Sequence, residues 1–160
     1  MRYFSKSEFL RRDINWYYYL SEELKEGMDL FREYWGSPVD ISKSKFSLGR
    51  NNGPDGTSQH NVDRDGVLRA VDLMPRGLYT REDMERAIEC AHKAGATGIG
   101  VYPQWRVWSP MGLKKRPGVH IDYRVDRTAS NPALWGAVRD NGLKSPQRYT
   151  SQLEALEKMK

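Results

Sequence analysis

Two short polar segments hold the side chains of this sequence that are best suited to chemistry. The first runs from Ser58-Gln59-His60 to Ala70-Val71-Asp72, and the second is Gly118-Val119-His120-Ile121-Asp122. Two imidazoles and one carboxylate can hold a zinc ion with one coordination position left open, and an open position is what catalysis by zinc requires. The chain has only three histidines, and two of them lie in these segments.

The spacing within each segment favours particular ligands. Because side chains alternate along a strand, His120 and Asp122 face the same way, and either could reach a metal. We favour His120, since imidazole suits zinc. Asp72 follows the largely apolar residues 67–71, where a buried carboxylate is costly unless it is paired or metal-bound. Zinc would lower the pKa of a bound water toward roughly 7, and a second carboxylate could take the proton of that water.

The elements that must position these side chains follow from apolar periodicity, caps and turn residues. Ser21 can cap a helix whose apolar face is Leu24, Met28, Phe31 and Trp35. Further helices are predicted over residues 2–13 and 80–94, in a turn at 132–138, and after Ser145. Strands are predicted over residues 39–42, 67–73, 97–103 and 119–123, with long loops at 43–57 and 104–117. This order indicates an α+β fold, a small antiparallel sheet flanked by helices.

Length and composition narrow the class of protein. A chain of 160 residues, 38% hydrophobic, predicts a single domain, and no apolar run is long enough to span a membrane. The net charge of +5 favours anionic partners, but only Lys114-Lys115-Arg116 is a dense basic run and no nucleic-acid motif accompanies it. We therefore do not expect nucleic-acid binding, and we expect a monomer. The single cysteine, Cys90, excludes an internal disulfide and is predicted to be buried.

The order of the motifs is similar to that of a known family. Ser-x-His at 58–60, Ala-x-Asp at 70–72, Gly-Ile-Gly-x-Tyr-Pro at 98–103 and Val-His-Ile-Asp at 119–122, with Arg124 after it, follow one another along the chain. This series resembles the M15 zinc peptidases, which include D-Ala-D-Ala carboxypeptidases and phage endolysins, and especially the branch whose second motif is His-x-Asp. The resemblance extends from about Phe4 to Trp135.

The resemblance implies a fold of the hedgehog/D-Ala-D-Ala peptidase type and zinc-dependent hydrolysis of peptide bonds in bacterial peptidoglycan. It makes His60, Asp72 and His120 the zinc ligands. Asp122 becomes the general base or a carboxylate that orients a ligand, and these two roles stay open. Arg50, in the loop after the strand near Ile41, is the candidate for binding a substrate carboxylate. The cleaved bond, D-Ala-D-Ala or L-Ala-D-Glu, also stays open.

The sequence departs from the family pattern between the first two ligands. Eleven residues separate His60 from Asp72, more than in the family, and the extra ones around Asp63-Arg64-Asp65-Gly66 indicate an inserted turn. Asp63 and Asp65 are therefore rival ligands. We favour Asp72, because the Ala-x-Asp context and the strand belong to it. The usual Ser-x-Tyr-Arg pattern is also replaced, here by Ser44-Lys45-Phe46-Ser47.

Residues 1–8 lack the apolar stretch of a signal peptide. Together with the resemblance, this predicts a phage or prophage lysin that is made in the host cytoplasm and reaches the cell wall after holin-type release or as part of a virion. The alternative is a non-enzymatic phage structural or wall-binding protein that retains the peptidase fold. Trp105 and Trp108, before the basic run, either line a substrate groove or anchor their loop by packing.

Overall fold

The computed structural model describes residues 1–42, 44 and 47–159. Three α-helices are present there: α1 (Glu22–Trp35), α2 (Arg81–Lys93) and α3 (Gln152–Glu157). Short 3-10 helices cover Lys6–Phe9 and Trp16–Tyr19. The strands are β1 (Leu10–Arg11), β2 (Ile14–Asn15), β3 (Val39–Ile41), β4 (Ala70–Pro75), β5 (Gly98–Tyr102), β6 (Arg106–Ser109), β7 (Gly112–Lys115), β8 (Gly118–Asp122), β9 (Ala133–Val138) and β10 (Arg148–Thr150).

Six strands form one sheet in the order β10-β9-β5-β8-β4-β3. All neighbours pair antiparallel except β5 and β9, which are parallel. The α+β class is confirmed, but the expected small antiparallel sheet is corrected to a larger, mixed one. Strands β4, β5 and β8 have only buried residues and form the middle of this sheet.

The additional strands come from segments that the sequence did not identify. Residues 132–138 were predicted as a helical turn, yet they contain β9, because their backbone pairs with β5 in preference to forming a local turn. Gly136 lets α3 pack closely on β9, since a Cβ there would lie 2.4 Å from the Cβ of Ala155. The last helix accordingly begins after Ser151, which caps it, rather than after Ser145.

Helix α1 matches its prediction closely. The Ser21 side chain accepts a hydrogen bond from the Leu24 amide, and the helix ends at Gly36, which has a left-handed backbone. The predicted apolar face is buried in the core, as Leu24, Met28, Phe31 and Trp35. Helix α2 begins with a capping box between Thr80 and Asp83 and packs against α1. These two helices support the sheet on which the site is built.

Two other predictions are corrected. Residues 2–13 contain one turn of 3-10 helix and then β1, which pairs with β2 in a hairpin, and not a longer helix. The predicted loop at 104–117 contains a second hairpin, β6–β7, which forms its own two-stranded sheet. The described part of residues 43–57 lacks regular helix and has only an isolated bridge at Arg50; the rest of that predicted loop, Lys43, Lys45 and Phe46, lies outside the described residues. Among the helices described, none is long and apolar enough to cross a membrane.

Candidate metal centre

Two of the predicted ligands are placed by the register of the central strands. Asp72 on β4 lies directly opposite His120 on β8, so their side chains project from the same face of the sheet. Both are buried, with relative exposures of 8% and 6%. Asp122, two residues after His120 on the same face, is fully buried. The alternation inferred from the sequence therefore describes this face correctly.

The third ligand candidate, His60, lies in a loop. The Ser58 hydroxyl accepts a hydrogen bond from the His60 amide, and the His60 carbonyl accepts one from the Arg50 amide. The ring nitrogen Nδ1 lies 3.2 Å from the carbonyl oxygen of Leu48. These contacts turn the buried imidazole toward the sheet, so that the long loop before β4 delivers a side chain to β4 and β8.

The three side chains converge on one point. His120 Nδ1 lies 2.9 Å from Asp72 Oδ1 and 3.2 Å from His60 Nε2, and His60 Nε2 lies 3.4 Å from Asp72 Oδ1. Around a metal with ligand bonds of about 2.0–2.1 Å, donor atoms are separated by about 2.9 Å in an octahedral set and about 3.3 Å in a tetrahedral one. The buried group His60, Asp72 and His120 could therefore hold a metal ion.

The hydrogen bonds on the outer side of each imidazole support this interpretation. The Leu48 carbonyl can only accept, so His60 carries its proton on Nδ1 and directs the lone pair of Nε2 to the centre. His120 Nε2 lies 3.0 Å from Asp122 Oδ2, so its Nε2–H donates to that carboxylate. An acceptor behind each ligating imidazole is the usual arrangement at metal sites, where it fixes the ring and its tautomer.

Asp122 is itself held by an arginine. Arg124 Nε donates to Asp122 Oδ1 at 2.8 Å, and an Arg124 terminal nitrogen donates to Oδ2 at 2.5 Å. The carboxylate therefore has both oxygens engaged, one of them also by His120. Arg124, which follows the Val-His-Ile-Asp motif in the sequence, is therefore paired with the last residue of that motif.

The electrostatics of the cluster favour a cation at its centre. Burial raises the pKa of Asp72, but the adjacent His60 and His120 outweigh burial and hold that pKa well below its ordinary value. Burial likewise opposes ionisation of Asp122, yet Arg124 and His120 keep its pKa well below the usual range. Burial lowers the pKa of His120, whereas its hydrogen bonds to Asp122 and Asp72 reverse this and raise the pKa to about 9.

Two glycines of β5 make room for the site. A Cβ at Gly98 would lie 2.3 Å from Asp122 Oδ1, and a Cβ at Gly100 would lie 2.6 Å from the Trp135 ring. Trp135 packs against His120 with ring centroids 5.1 Å apart, and its Nε1 donates to the Tyr102 hydroxyl at 3.1 Å. Trp135 was not predicted as a site residue, since only the parallel pairing of β9 with β5 brings it there.

A cleft of about 500 Å³ opens over the three ligand candidates. Arg50 lies on its wall, as does Trp105, whose ring stacks on Tyr102 with centroids 4.1 Å apart. Trp108 does not line this cleft and is 83% exposed. Of the two tryptophans considered together in the sequence, only Trp105 borders the site. Tyr102, Gln147 and Tyr149 also line the cleft.

The rival carboxylates lie outside the cluster. Asp63 accepts hydrogen bonds from the Asn51 side chain at 2.6 Å and from the Gly53 amide at 2.7 Å. Asp65 pairs with Arg69 at 2.9 Å, and both aspartates are exposed. The group of potential metal ligands that the described residues form contains Asp72 and neither of them. Cys90 is buried, as expected, and His92 lies exposed on α2.

Comparisons with models of protein families, with curated proteins and with solved structures found no match to this chain.

Proposed function

We propose that this protein is a zinc-dependent peptidase that hydrolyses peptide bonds in the stem peptides of bacterial peptidoglycan. The observation that carries the proposal is the convergence of His60 Nε2, Asp72 Oδ1 and His120 Nδ1 within 2.9–3.4 Å, with the outer nitrogen of each imidazole held by an acceptor. The choice of this substrate rests on the motif series in the sequence and on a cleft of about 500 Å³ over the ligand candidates, a volume typical of ligand-binding sites.

Zinc suits the donor set, since two imidazoles and one carboxylate leave a further position open. When bound, zinc supplies a Lewis acid that polarises a carbonyl oxygen and makes water a nucleophile at neutral pH. Asp72 and His120 are held rigidly by neighbouring strands, and His60 completes the set from the loop. Because all three side chains are buried, a substrate can reach them only from the cleft.

Of the two roles left open for Asp122, we propose that it orients His120. The carboxylate holds the Nε2 proton of that imidazole, and both of its oxygens already accept hydrogen bonds from Arg124. A general base needs an oxygen that can approach the reacting water. Positioning through His120 needs only the contacts that Asp122 already makes.

Arg50 is proposed to bind a carboxylate of the substrate. Its backbone pairs with that of the His60 loop, through its amide to the His60 carbonyl at 2.9 Å and through its carbonyl to the Val62 amide at 3.1 Å. The arginine therefore keeps a fixed place on the cleft wall beside a ligand. Arg50→Gln should raise KM for a stem peptide by more than it lowers kcat, because the lost contact is made in the ground state as well as in the transition state.

The test combines metal analysis with a hydrolysis assay. Purified protein should contain close to one zinc per chain, and it should release new amino groups from purified peptidoglycan in a reaction that chelator stops and zinc restores. His120→Ala should lose both properties, whereas the matched control His92→Ala, an exposed histidine on α2, should keep them.

Equal release of amino groups with and without chelator would contradict the zinc mechanism. A folded protein that takes up no metal would instead support the non-enzymatic wall-binding alternative, and iron in place of zinc would reject the proposed chemistry.

A further inference from the structure

The hairpin β6–β7 projects from the wall of the cleft and is not used by the proposed reaction. Trp105, immediately before β6, lines the cleft and stacks on Tyr102. At the other end of the hairpin, the Arg116 amide donates to the Trp105 carbonyl at 2.7 Å, which closes the base. The Arg116 side chain bonds to Asp40 on β3 and to the Met74 carbonyl. The base of the hairpin is therefore fixed to the sheet beside the cleft.

One face of this hairpin combines an exposed aromatic ring with cations. Arg106 pairs with Lys115 and Trp108 pairs with Leu113, and because paired residues share a face, all four side chains lie on the same side. We call this set, Arg106, Trp108, Leu113 and Lys115, the hairpin face. Trp108 is 83% exposed, and at the turn Met111 is 87% exposed. Among the large hydrophobic side chains that the structure describes, these two are the most exposed, and they lie on one hairpin rather than scattered singly.

The charge of the hairpin has a single sign. Between Glu89 and Asp122 the sequence contains no acidic residue. In the part of the chain that the structure describes, Lys115 and Lys114 make no ion pair, and Arg106 donates only to the carbonyl of Leu143 at 3.2 Å. The hairpin face therefore presents cations without internal anions, which complements an anionic partner.

We propose that the hairpin face docks the peptidoglycan chain next to the cleft, with the Trp108 ring against a sugar ring and Lys115 and Arg106 against carboxylates of neighbouring stem peptides. The identity of this polymer rests on the proposed function. A chain bound along the hairpin would present its peptides at Trp105, where the hairpin joins the cleft. Two cations beside one exposed indole match spaced carboxylates better than the continuous phosphates of a nucleic acid, which are tracked by longer basic stripes.

The test measures sedimentation of the full chain with insoluble purified peptidoglycan, in the cold and with chelator present. Trp108→Ala should weaken binding about tenfold, as loss of an aromatic anchor does. Lys115→Ala should weaken it by a smaller factor. Lys114→Ala is the matched control, because it removes the same charge from the opposite face of the same strand. On glycan chains stripped of their peptides, the effect of Trp108 should persist and that of Lys115 should disappear.

Because Trp108 and both lysines are exposed, the variants are expected to fold, and hydrolysis of a small soluble stem peptide should be unchanged in all of them. Equal losses in Lys114→Ala and Lys115→Ala with no effect of Trp108→Ala would overturn the inference in favour of non-specific attraction. Tighter binding to single-stranded DNA than to peptidoglycan would overturn it as well. Absence of peptide hydrolysis together with Trp108-dependent binding would reject the proposed function and leave the docking face supported.

Discussion

The candidate metal ligands are positioned in two different ways. Asp72 and His120 lie on adjacent central strands, where backbone register sets their separation and both side chains are buried. His60 lies in a loop that is organised by side chains: buried Asn61 accepts from the Asn52 amide at 3.0 Å and donates to the Gly53 carbonyl at 2.8 Å. The sheet thus fixes two of the three candidate ligands through the fold itself, whereas the loop that carries the third depends on a local polar network.

This difference predicts that removing a sheet ligand costs more than removing the loop ligand. His120→Ala should abolish metal binding. This is a larger effect than the roughly 10–100-fold loss of metal affinity expected when only a hydrogen-bond partner behind a ligand is removed. It should also destabilise the protein by about 3–5 kcal/mol, because Asp72 and Asp122 lose their buried partner. His60→Ala should abolish metal binding with a smaller loss of stability. Denaturant unfolding and metal analysis check this, and equal stability of the two variants would contradict it.

The sheet half of the site should also control the pH dependence of metal affinity. With no metal bound, the pKa of His120 is raised to about 9, and a metal must displace the proton that this pKa implies. Affinity should therefore rise as the pH rises toward 9, up to about tenfold per unit, whereas an ordinary histidine would level off near 6.5. Calorimetry at pH 7.5 in buffers of different ionisation enthalpy should detect release of about one proton. Release of none would show that His120 is already neutral.

Loss of a contact behind His120 should weaken metal binding without abolishing it. Asp122→Asn keeps the shape of the side chain but removes the charge that holds the Nε2 proton of His120 and pairs with Arg124. Metal affinity should fall about 10–100-fold, as measured by competition with a chelator. Asp126→Asn is the control, since it makes the same charge change at an exposed position nearby. Unchanged affinity in a folded Asp122→Asn protein would reject the positioning role.

The loop half should respond to loss of its polar network. Asn61→Ala removes the side chain that joins the amide of Asn52 to the carbonyls of Gly53 and Gly56, and leaves these groups without that partner. We expect metal affinity to fall about tenfold, because His60 is displaced. The free energy of unfolding should fall by about 1–3 kcal/mol. Asp65→Asn in the same loop should change neither, because Asp65 is an exposed partner of Arg69. A loss of affinity in Asp65→Asn would revive that residue as a ligand.

Much of the site was accessible from the sequence because it depends on local spacing. The His-x-Asp pair on one strand, the isolated acid within an apolar run and the cap of α1 each need only neighbouring residues to be recognised. The same reasoning failed for β9, whose residues have no strong strand pattern of their own. Their strand conformation depends on pairing with β5, and that pairing brings Trp135 to His120.

The sequence by itself determined the chemical types present: two histidines and two aspartates at spacings that favour one face, with a basic acid-free stretch between α2 and the end of β8. Only the tertiary structure decided which of these atoms meet. The choice among Asp63, Asp65 and Asp72 and the convergence of His60 with the sheet depend on contacts between residues far apart or on turns whose geometry no periodicity encodes. The physical reason is that register and loop closure are set by the burial of the whole core, not by the residues that form the site.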